Sequence, residues 1–152
     1  RQRQRILLYH QKATGYMTPE AVTKAYLGAL GNADYEALMS LFATDAIVVS
    51  PLYGEQAAAV FYRNLLQDSH RSELTFLDVF TNADTDKASL HFRYRWTMTD
   101  GTVVTFDCVD VFEFDDDHRI TRLVIIYDTA QARPAFDQLQ RVKTPPKRSS
   151  PD

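Results

Sequence analysis

One acid sits where the surrounding pattern asks for an apolar side chain. Along residues 102–114, one face reads Val104, Phe106, Cys108, Asp110, Phe112 and Phe114, and the other reads Val103, Thr105, Asp107, Val109, Val111 and Glu113. Strand alternation therefore places Asp110 among aromatic and small apolar neighbours, on the face that should turn inward. A carboxylate there costs several kcal/mol unless it is paired, hydrogen-bonded or protonated. Burial raises its pKa, and an acid that stays neutral at physiological pH can donate a hydrogen bond to a developing oxyanion. The plainer alternative is a structural acid satisfied by a tyrosine, an arginine or a backbone amide. Tyr26 is the second candidate. It falls on the inward stripe of a helix, where its hydroxyl can reach the same hollow or its ring can simply fill core.

Other side chains give weaker signals. His91 alternates opposite Phe92, Tyr94 and Trp96, which places it on the outer face or at a dimer contact. Asp128 follows Tyr127 and suits a turn or a cap for the terminal segment. Tyr53 and Tyr62 suit either the rim of a pocket or ordinary packing. Asp115-Asp116-Asp117 lacks the spacing of a calcium loop and reads as a solvated hairpin, so no metal is expected. Cys108 has no base beside it in sequence and reads as a packing residue. No phosphate-binding glycine loop or serine-nucleophile elbow is present.

The elements that would position these residues follow from caps and periodicity. Thr18-Pro19-Glu20 starts a helix in which Val22, Ala25, Tyr26, Ala29 and Leu30 share a stripe, ended by Gly31-Asn32. Asp34 caps a second helix with Tyr35, Leu38, Met39, Leu41 and Phe42. After a turn at 43–45, Ala46–Val49 is a short strand closed by Ser50-Pro51. A third helix is predicted over about Gln56–Leu66. A meander of four long strands follows: Glu73–Thr81, Lys87–Thr97, Thr102–Phe114 and Arg119–Tyr127. Asp84-Thr85-Asp86, Asp100-Gly101 and the acidic run 115–117 mark its turns. Pro134 can start a short terminal helix, and Thr144–Asp152 reads as disordered. The fold class is α+β: a strongly curved antiparallel sheet wrapped around three N-terminal helices, forming a cone with a pocket.

The chain has 152 residues, 45% of them apolar, enough for one domain to bury a core without staples. Residues 1–17 read as an N-terminal extension, 18–133 as the domain and 134–152 as a partly disordered tail. Arg1, Arg3, Arg5 and Lys12 make one end basic, and Arg141, Lys143, Lys147 and Arg148 the other. With a net charge of −3 overall, the body between them is acidic and would repel a phosphate backbone, so no nucleic-acid partner is expected. A lone cysteine forms no internal disulfide. No apolar run reaches the roughly 20 residues of a membrane span, and Ile6–Tyr9 is too short for a signal-peptide core. A cytoplasmic location without membrane contact is the expectation.

Several segments together resemble a known family. They are Ala25-Tyr26-Leu27-Gly28-Ala29-Leu30-Gly31-Asn32-Ala33-Asp34, Leu41-Phe42-Ala43-Thr44-Asp45-Ala46, Val109-Asp110-Val111-Phe112-Glu113-Phe114 and Arg119-Ile120-Thr121-Arg122-Leu123. The stretch from Thr18 to Arg133 is similar to the SnoaL-like branch of the nuclear transport factor 2-like superfamily, whose fold ketosteroid isomerases and limonene epoxide hydrolases share. Against ketosteroid isomerase, the resemblance puts Tyr26 and Asp110 at the oxyanion hole and Ser50 at the general-base position. Against limonene epoxide hydrolase, it puts Asp110 at the proton-donating acid, Cys108 at an arginine and Ile125 at the water-activating aspartate. A serine hydroxyl is no base for a C–H proton near neutral pH.

These readings together expect Asp110 and Tyr26 as catalytic groups. A ligand site around them would include Ser50, Tyr53, Tyr62, Phe92, Tyr94, Trp96, Cys108, Phe112 and Ile125. The expected ligand is a small apolar molecule, and no cofactor is implied. Three functions stay open. One is a small-molecule enzyme working by acid-assisted proton transfer, cyclisation or isomerisation on a carbonyl compound. The second is a binder without turnover. The third, compatible with both, is a homodimer paired through the outer sheet face of His91, Arg93, Arg95, Asp107, Val109 and Val111.

Overall fold

Two side-chain caps begin the chain's path. The computed structural model describes residues 17–144. The rest of the expected extension before Met17 and the expected disorder after Thr144 lie outside these residues. Thr18 Oγ1 accepts the Ala21 N–H at 3.2 Å and Pro19 takes the first helical position, starting α1 (Pro19–Gly31). Asp34 Oδ1 accepts the Ala37 N–H at 3.0 Å and starts the short α2 (Tyr35–Ser40). Then come β1 (Phe42–Ser50), β2 (Gly54–Ala57), α3 (Ala58–Asp68), β3 (Ser69–Thr81), β4 (Lys87–Met98), β5 (Val103–Phe114), β6 (Ile120–Tyr127) and α4 (Ala132–Lys143).

The six strands form one sheet in the order β2-β1-β6-β5-β4-β3. It does not close, and α1 packs against β3 and β4 while α3 packs against β1, β2 and β3. Register shifts at Phe42/Ile47, Ser69/Arg71, Phe76/Asp78 and Glu113/Phe114 bend the strands around the helices. The α+β class and the helix-filled curved sheet are as the pattern predicts. The sheet is mixed rather than wholly antiparallel, because β1 runs parallel to β6. Alternation fixes which face a side chain takes, and it carries no information on which strand lies alongside.

Several boundaries differ from the sequence expectation. β3 starts at Ser69, not Glu73, because Ser69 and Arg71 already pair with Met98 and Thr97 of β4. β1 starts at Phe42, not Ala46, because Phe42 pairs with Ile120 and the Ile120 N–H donates to Leu41 O at 2.9 Å. Residues 54–57 pair with β1 as a strand, so the third helix begins at Ala58. Gly54, at φ 76°, permits the tight reversal at Pro51–Gly54 that brings the chain back. The terminal helix starts at Ala132, ahead of Pro134, and extends packed structure beyond Arg133 to Lys143. Asp128 Oδ1 accepts the Ala130 N–H at 2.9 Å and holds the turn before it. Among the described residues, no helix is long and apolar enough to cross a membrane.

The inward faces read from alternation are the buried ones. Leu90, Phe92, Tyr94, Trp96 and Met98 of β4 are buried, as are Val104, Cys108, Asp110, Phe112 and Phe114 of β5. Leu90→Ala, at a fully buried site, should cost about 2–5 kcal/mol. Val103→Ala, on the outer face, should change stability by less than about 0.5 kcal/mol. Urea unfolding of both variants checks the assignment; equal losses would mean the faces are misassigned.

Candidate functional site

The core contains a narrow hollow with an acid in its wall. β5 carries Asp110 into it, 1% exposed, opposite Leu90 of β4 and Ile125 of β6. α1 supplies Tyr26 from one side, β4 supplies Phe92, Tyr94 and Trp96, the end of β1 supplies Ser50, and the β1–β2 turn supplies Tyr53. Phe106 and Tyr127 stack with ring centroids 4.1 Å apart at the half-buried end of the wall. The cavity volume is about 40 Å³. That holds a few waters, at about 10–15 Å³ each, and falls well short of the roughly 300 Å³ of a small-molecule pocket. A ring-sized ligand therefore requires wall side chains to move.

The polar groups form one chain of hydrogen bonds. The Tyr62 hydroxyl donates to the Tyr26 hydroxyl at 2.8 Å, both fully enclosed. With its oxygen so engaged, Tyr26 directs its own proton toward Asp110 or a ligand beside it. The Cys108 thiol donates to Asp110 Oδ1 at 3.2 Å. None of the residues lining the hollow is Lys, Arg or His. Desolvation therefore dominates, and it pushes the Asp110 carboxyl up to about 7 against the smaller opposing effects of the Cys108 and Tyr26 hydrogen bonds. The same burial, reinforced by the nearby Asp110 charge, lifts Tyr26, Tyr62 and Cys108 above their usual ranges. Tyr53, Tyr94 and Tyr127 are also raised, chiefly by desolvation. Near neutrality Asp110 and Tyr26 can therefore both donate hydrogen bonds at one place in the hollow, and no lining residue is a counter-cation.

The predicted site residues divide into wall and support. Asp110, Tyr26, Ser50, Tyr53, Phe92, Tyr94, Trp96, Cys108 and Ile125 all line the hollow. Tyr62 and Phe112 do not. Tyr62 stands behind Tyr26, and Phe112 packs its ring edge-on against Tyr26 at 5.2 Å. Both hold the phenol rather than touch a ligand. Ser50 Oγ accepts the Leu52 and Tyr53 N–H groups, each at 3.3 Å, which makes it a turn residue. His91 lies on the outer face, 4.0 Å from Asp107. Asp115 Oδ1 accepts the Asp117 and Arg119 N–H groups, each at 2.9 Å, as a hairpin acid. Among the described residues, no three potential metal ligands converge.

Sequence reading left out Leu30, Phe61, Leu65, Phe106 and Tyr127, which also line the hollow. Phe106 and Tyr127 share inward faces with Cys108 and Ile125, so alternation could have included them. It also left out Asp68, a second buried acid, which accepts from the Tyr53 hydroxyl at 2.7 Å and pairs with Lys143. No local pattern marks that contact.

An open, bent sheet closed by helices over a hollow with one inward acid is the nuclear transport factor 2-like cone. Residues 23–123 match the SnoaL-like domain, and the chain belongs to that family. No curated protein matches it in sequence. Similar solved structures include a candidate polyketide cyclase from Pseudomonas putida, 20% identical over 78% of this chain and 97% of that one, with a TM-score of 0.69. TerC, co-crystallized with polyporic acid, is 18% identical over 80% and 99%, with a TM-score of 0.68. A protein of ketosteroid isomerase-like fold from Catenulispora acidiphila, in complex with trimethylamine, is 17% identical over 74% and 88%, with a TM-score of 0.63. At these identities the likeness establishes the fold.

The raised acid has a consequence for stability. Between its ordinary value of 3.8 and about 7, Asp110 is ionised in the unfolded chain and protonated in the folded one. Folding then takes up a proton, so stability falls as pH rises through that window. Below it both states are protonated and the group adds no pH dependence; above it the full penalty is present. Asp110→Asn removes the penalty. Relative to this variant, the natural chain should lose roughly 3–4 kcal/mol between about pH 4 and pH 8. Urea midpoints across that range test it, and parallel curves for the two proteins would sink the assignment.

Proposed function

We propose that the protein is a cytosolic small-molecule enzyme that moves a proton on an apolar, carbonyl-containing substrate, with Asp110 as acid and Tyr26 as second donor. The carrying observation is Asp110 itself: a fully buried carboxyl in an apolar hollow, with a phenol beside it and no cation to hold it ionised. A carbonyl oxygen placed between the two donors gains charge as an enol or enolate forms, and both hydrogen bonds strengthen as it does. Asp110 gives its proton to that oxygen. The resulting carboxylate then takes a proton from the adjacent carbon, which restores the acid and completes an isomerisation. The enol carbon can instead attack a second carbonyl of the same molecule and close a ring: the C=O π bond breaks as its oxygen takes the Asp110 proton, and the enol hydroxyl returns a proton to the carboxylate as its own C=O re-forms. Titration near neutrality suits both halves of the exchange. This route needs no separate base, which Ser50 and Ile125 do not supply. Neighbours named as polyketide cyclase and ketosteroid isomerase-like support the reading through shared fold.

A second reading, a binder without turnover, draws on the Cys108 hydrogen bond, which already satisfies one Asp110 oxygen. Either function is compatible with a homodimer. We infer the pairing face from Val49, Val124 and Val111, which lie side by side across β1, β6 and β5 on the outer surface, with Ile126 and Val109 adjacent. Ile126 is 54% exposed. Arg93–Asp107 at 3.0 Å and Arg95–Glu73 at 2.5 Å flank this apolar strip. A dry centre with a charged rim is the anatomy of a pairing surface.

Two measurements follow. Deuterium uptake from heavy water at the carbon beside the carbonyl of 2-tetralone, followed by NMR, reads proton transfer directly. Asp110→Asn should slow it by about 100-fold or more, and Tyr26→Phe by about tenfold or more. Uptake at the natural rate in Asp110→Asn would remove the acid from the mechanism, and tight binding without uptake would favour the binder. For assembly, light scattering should give a dimer mass for the natural chain and a monomer mass for Val111→Arg with its unfolding midpoint retained. A natural chain that stays monomeric when concentrated refutes the pairing face.

A further inference from the structure

Among the described residues, Asp68 is the one buried carboxylate that the proposed chemistry does not use. It ends α3, is 1% exposed, and gathers donors from two distant segments. Tyr53 of the β1–β2 turn donates to Oδ2 at 2.7 Å, and Gln140 of α4 donates to the same oxygen at 3.0 Å. Lys143, in the last turn of α4, pairs with Oδ1. Tyr53 is also part of the wall of the hollow. Its ring meets Phe61 at 5.4 Å and Phe136 of α4 at 4.9 Å. One tyrosine is therefore both a wall of the cavity and the surface on which α4 rests.

The two ends of α4 are tied to the same region. Arg133, in its first turn, donates to Pro51 O at 2.6 Å, two residues from Tyr53. Along α4, Ala132 and Leu139 are buried, Ala135 and Phe136 are half-buried against the core, and Val142 is 68% exposed. With two residues buried and two half-buried, this apolar contact is modest, and the polar tethers tip the balance toward the docked helix. A carboxylate that loses its cation while still buried is costly, so the docked arrangement is held as a unit or released as one.

The walls differ in their freedom to move. Phe92 and Trp96 lie on β4, hydrogen-bonded along its length to β3 and β5. Tyr53 lies in a turn at the sheet margin. A hollow of about 40 Å³ cannot take a ring system as it stands. The piece that can give way is Tyr53 together with the helix above it.

We propose that α4 is a lid over the hollow and that Asp68 is its latch, holding Tyr53, Gln140 and Lys143 together in the closed state. The lid rests on the reading of the hollow as a ligand site, and its test is independent of Asp110 chemistry. Trp96 is the only tryptophan, lines the hollow and is 2% exposed, so its fluorescence reports access. Acrylamide, a small neutral quencher, is the probe. Lys143→Gln and the double variant Gln140→Ala/Lys143→Gln, both on the full chain, should raise the quenching constant by about threefold or more, with faster amide exchange over 132–143. Val142→Ser, on the outward side of the same helix, should leave it unchanged. The quenching readout involves no proton transfer by Asp110, which separates failure of the lid from failure of the acid. Lys143 is 45% exposed, so its single variant is expected to fold even if the double variant does not. An unchanged constant in folded Lys143→Gln overturns the proposal, as does an equal rise in Val142→Ser.

Discussion

A carboxyl group held against apolar walls by strand register governs this molecule. Residue 110 points inward because its neighbours two places away in either direction, Cys108 and Phe112, are core residues on the same face. Turning the acid outward would shift the strand by one residue and expose them together. The fold thus cannot release Asp110 to water without losing β5, and the cost of its ionisation falls on folding itself. Such a group is kept neutral or supplied with partners. Here the partners are a thiol and a phenol, donors too weak to offset desolvation.

The aromatic packing around it makes that environment durable. Tyr26 is held edge-on by Phe42, Tyr62 and Phe112 at 6.3, 6.1 and 5.2 Å, and the Tyr62 hydroxyl fixes its oxygen. A phenol locked in this way loses little further freedom when a ligand arrives, so its hydrogen bond is preorganised rather than assembled. Tyr94 and Trp96 are anchored similarly. Tyr94 shares a 2.7 Å hydrogen bond with Ser72, and the Trp96 N–H donates to Ser69 Oγ at 2.8 Å. The polar tips of the large aromatics are thus tied to the frame while their faces remain available to the hollow.

How much of this could be read from sequence depends on the range of the signal. Alternation along β4 and β5 is local, and it placed Phe92, Trp96, Cys108 and Asp110 on the correct face. The caps Thr18 and Asp34 are local too, and both helices begin where their side chains dictate. The resemblance added Ser50 and Ile125 to the wall, where composition alone is silent. The parallel neighbour of β1 escaped, since a strand's pattern says nothing of the direction of its partner. So did β2, four residues that hold strand form only because Gly54 reverses the chain onto β1. Lys143 read as part of a basic tail, because its partner lies 75 residues away and neither residue has a distinctive setting in sequence.

The two buried acids show opposite answers to the same physical problem. Asp68 is surrounded by donors, one of them a cation, and each of its oxygens is engaged. Such a group suits holding parts together, because its donors bind only when the segments that carry them are in place. Asp110 has the opposite setting, with one weak thiol bond, an assisting phenol and no cation. An acid left so poorly satisfied can exchange its proton near neutrality and accept a new partner without first breaking a strong one. Exchanging the two environments would abolish both roles. A cation beside Asp110 would hold it ionised and end its use as a donor, and removing the cation from Asp68 would leave α4 attached through its apolar contacts, Gln140 and the Arg133 tether. The difference between chemistry and architecture in this fold is therefore set by the donors around each carboxylate, since burial is the same for both.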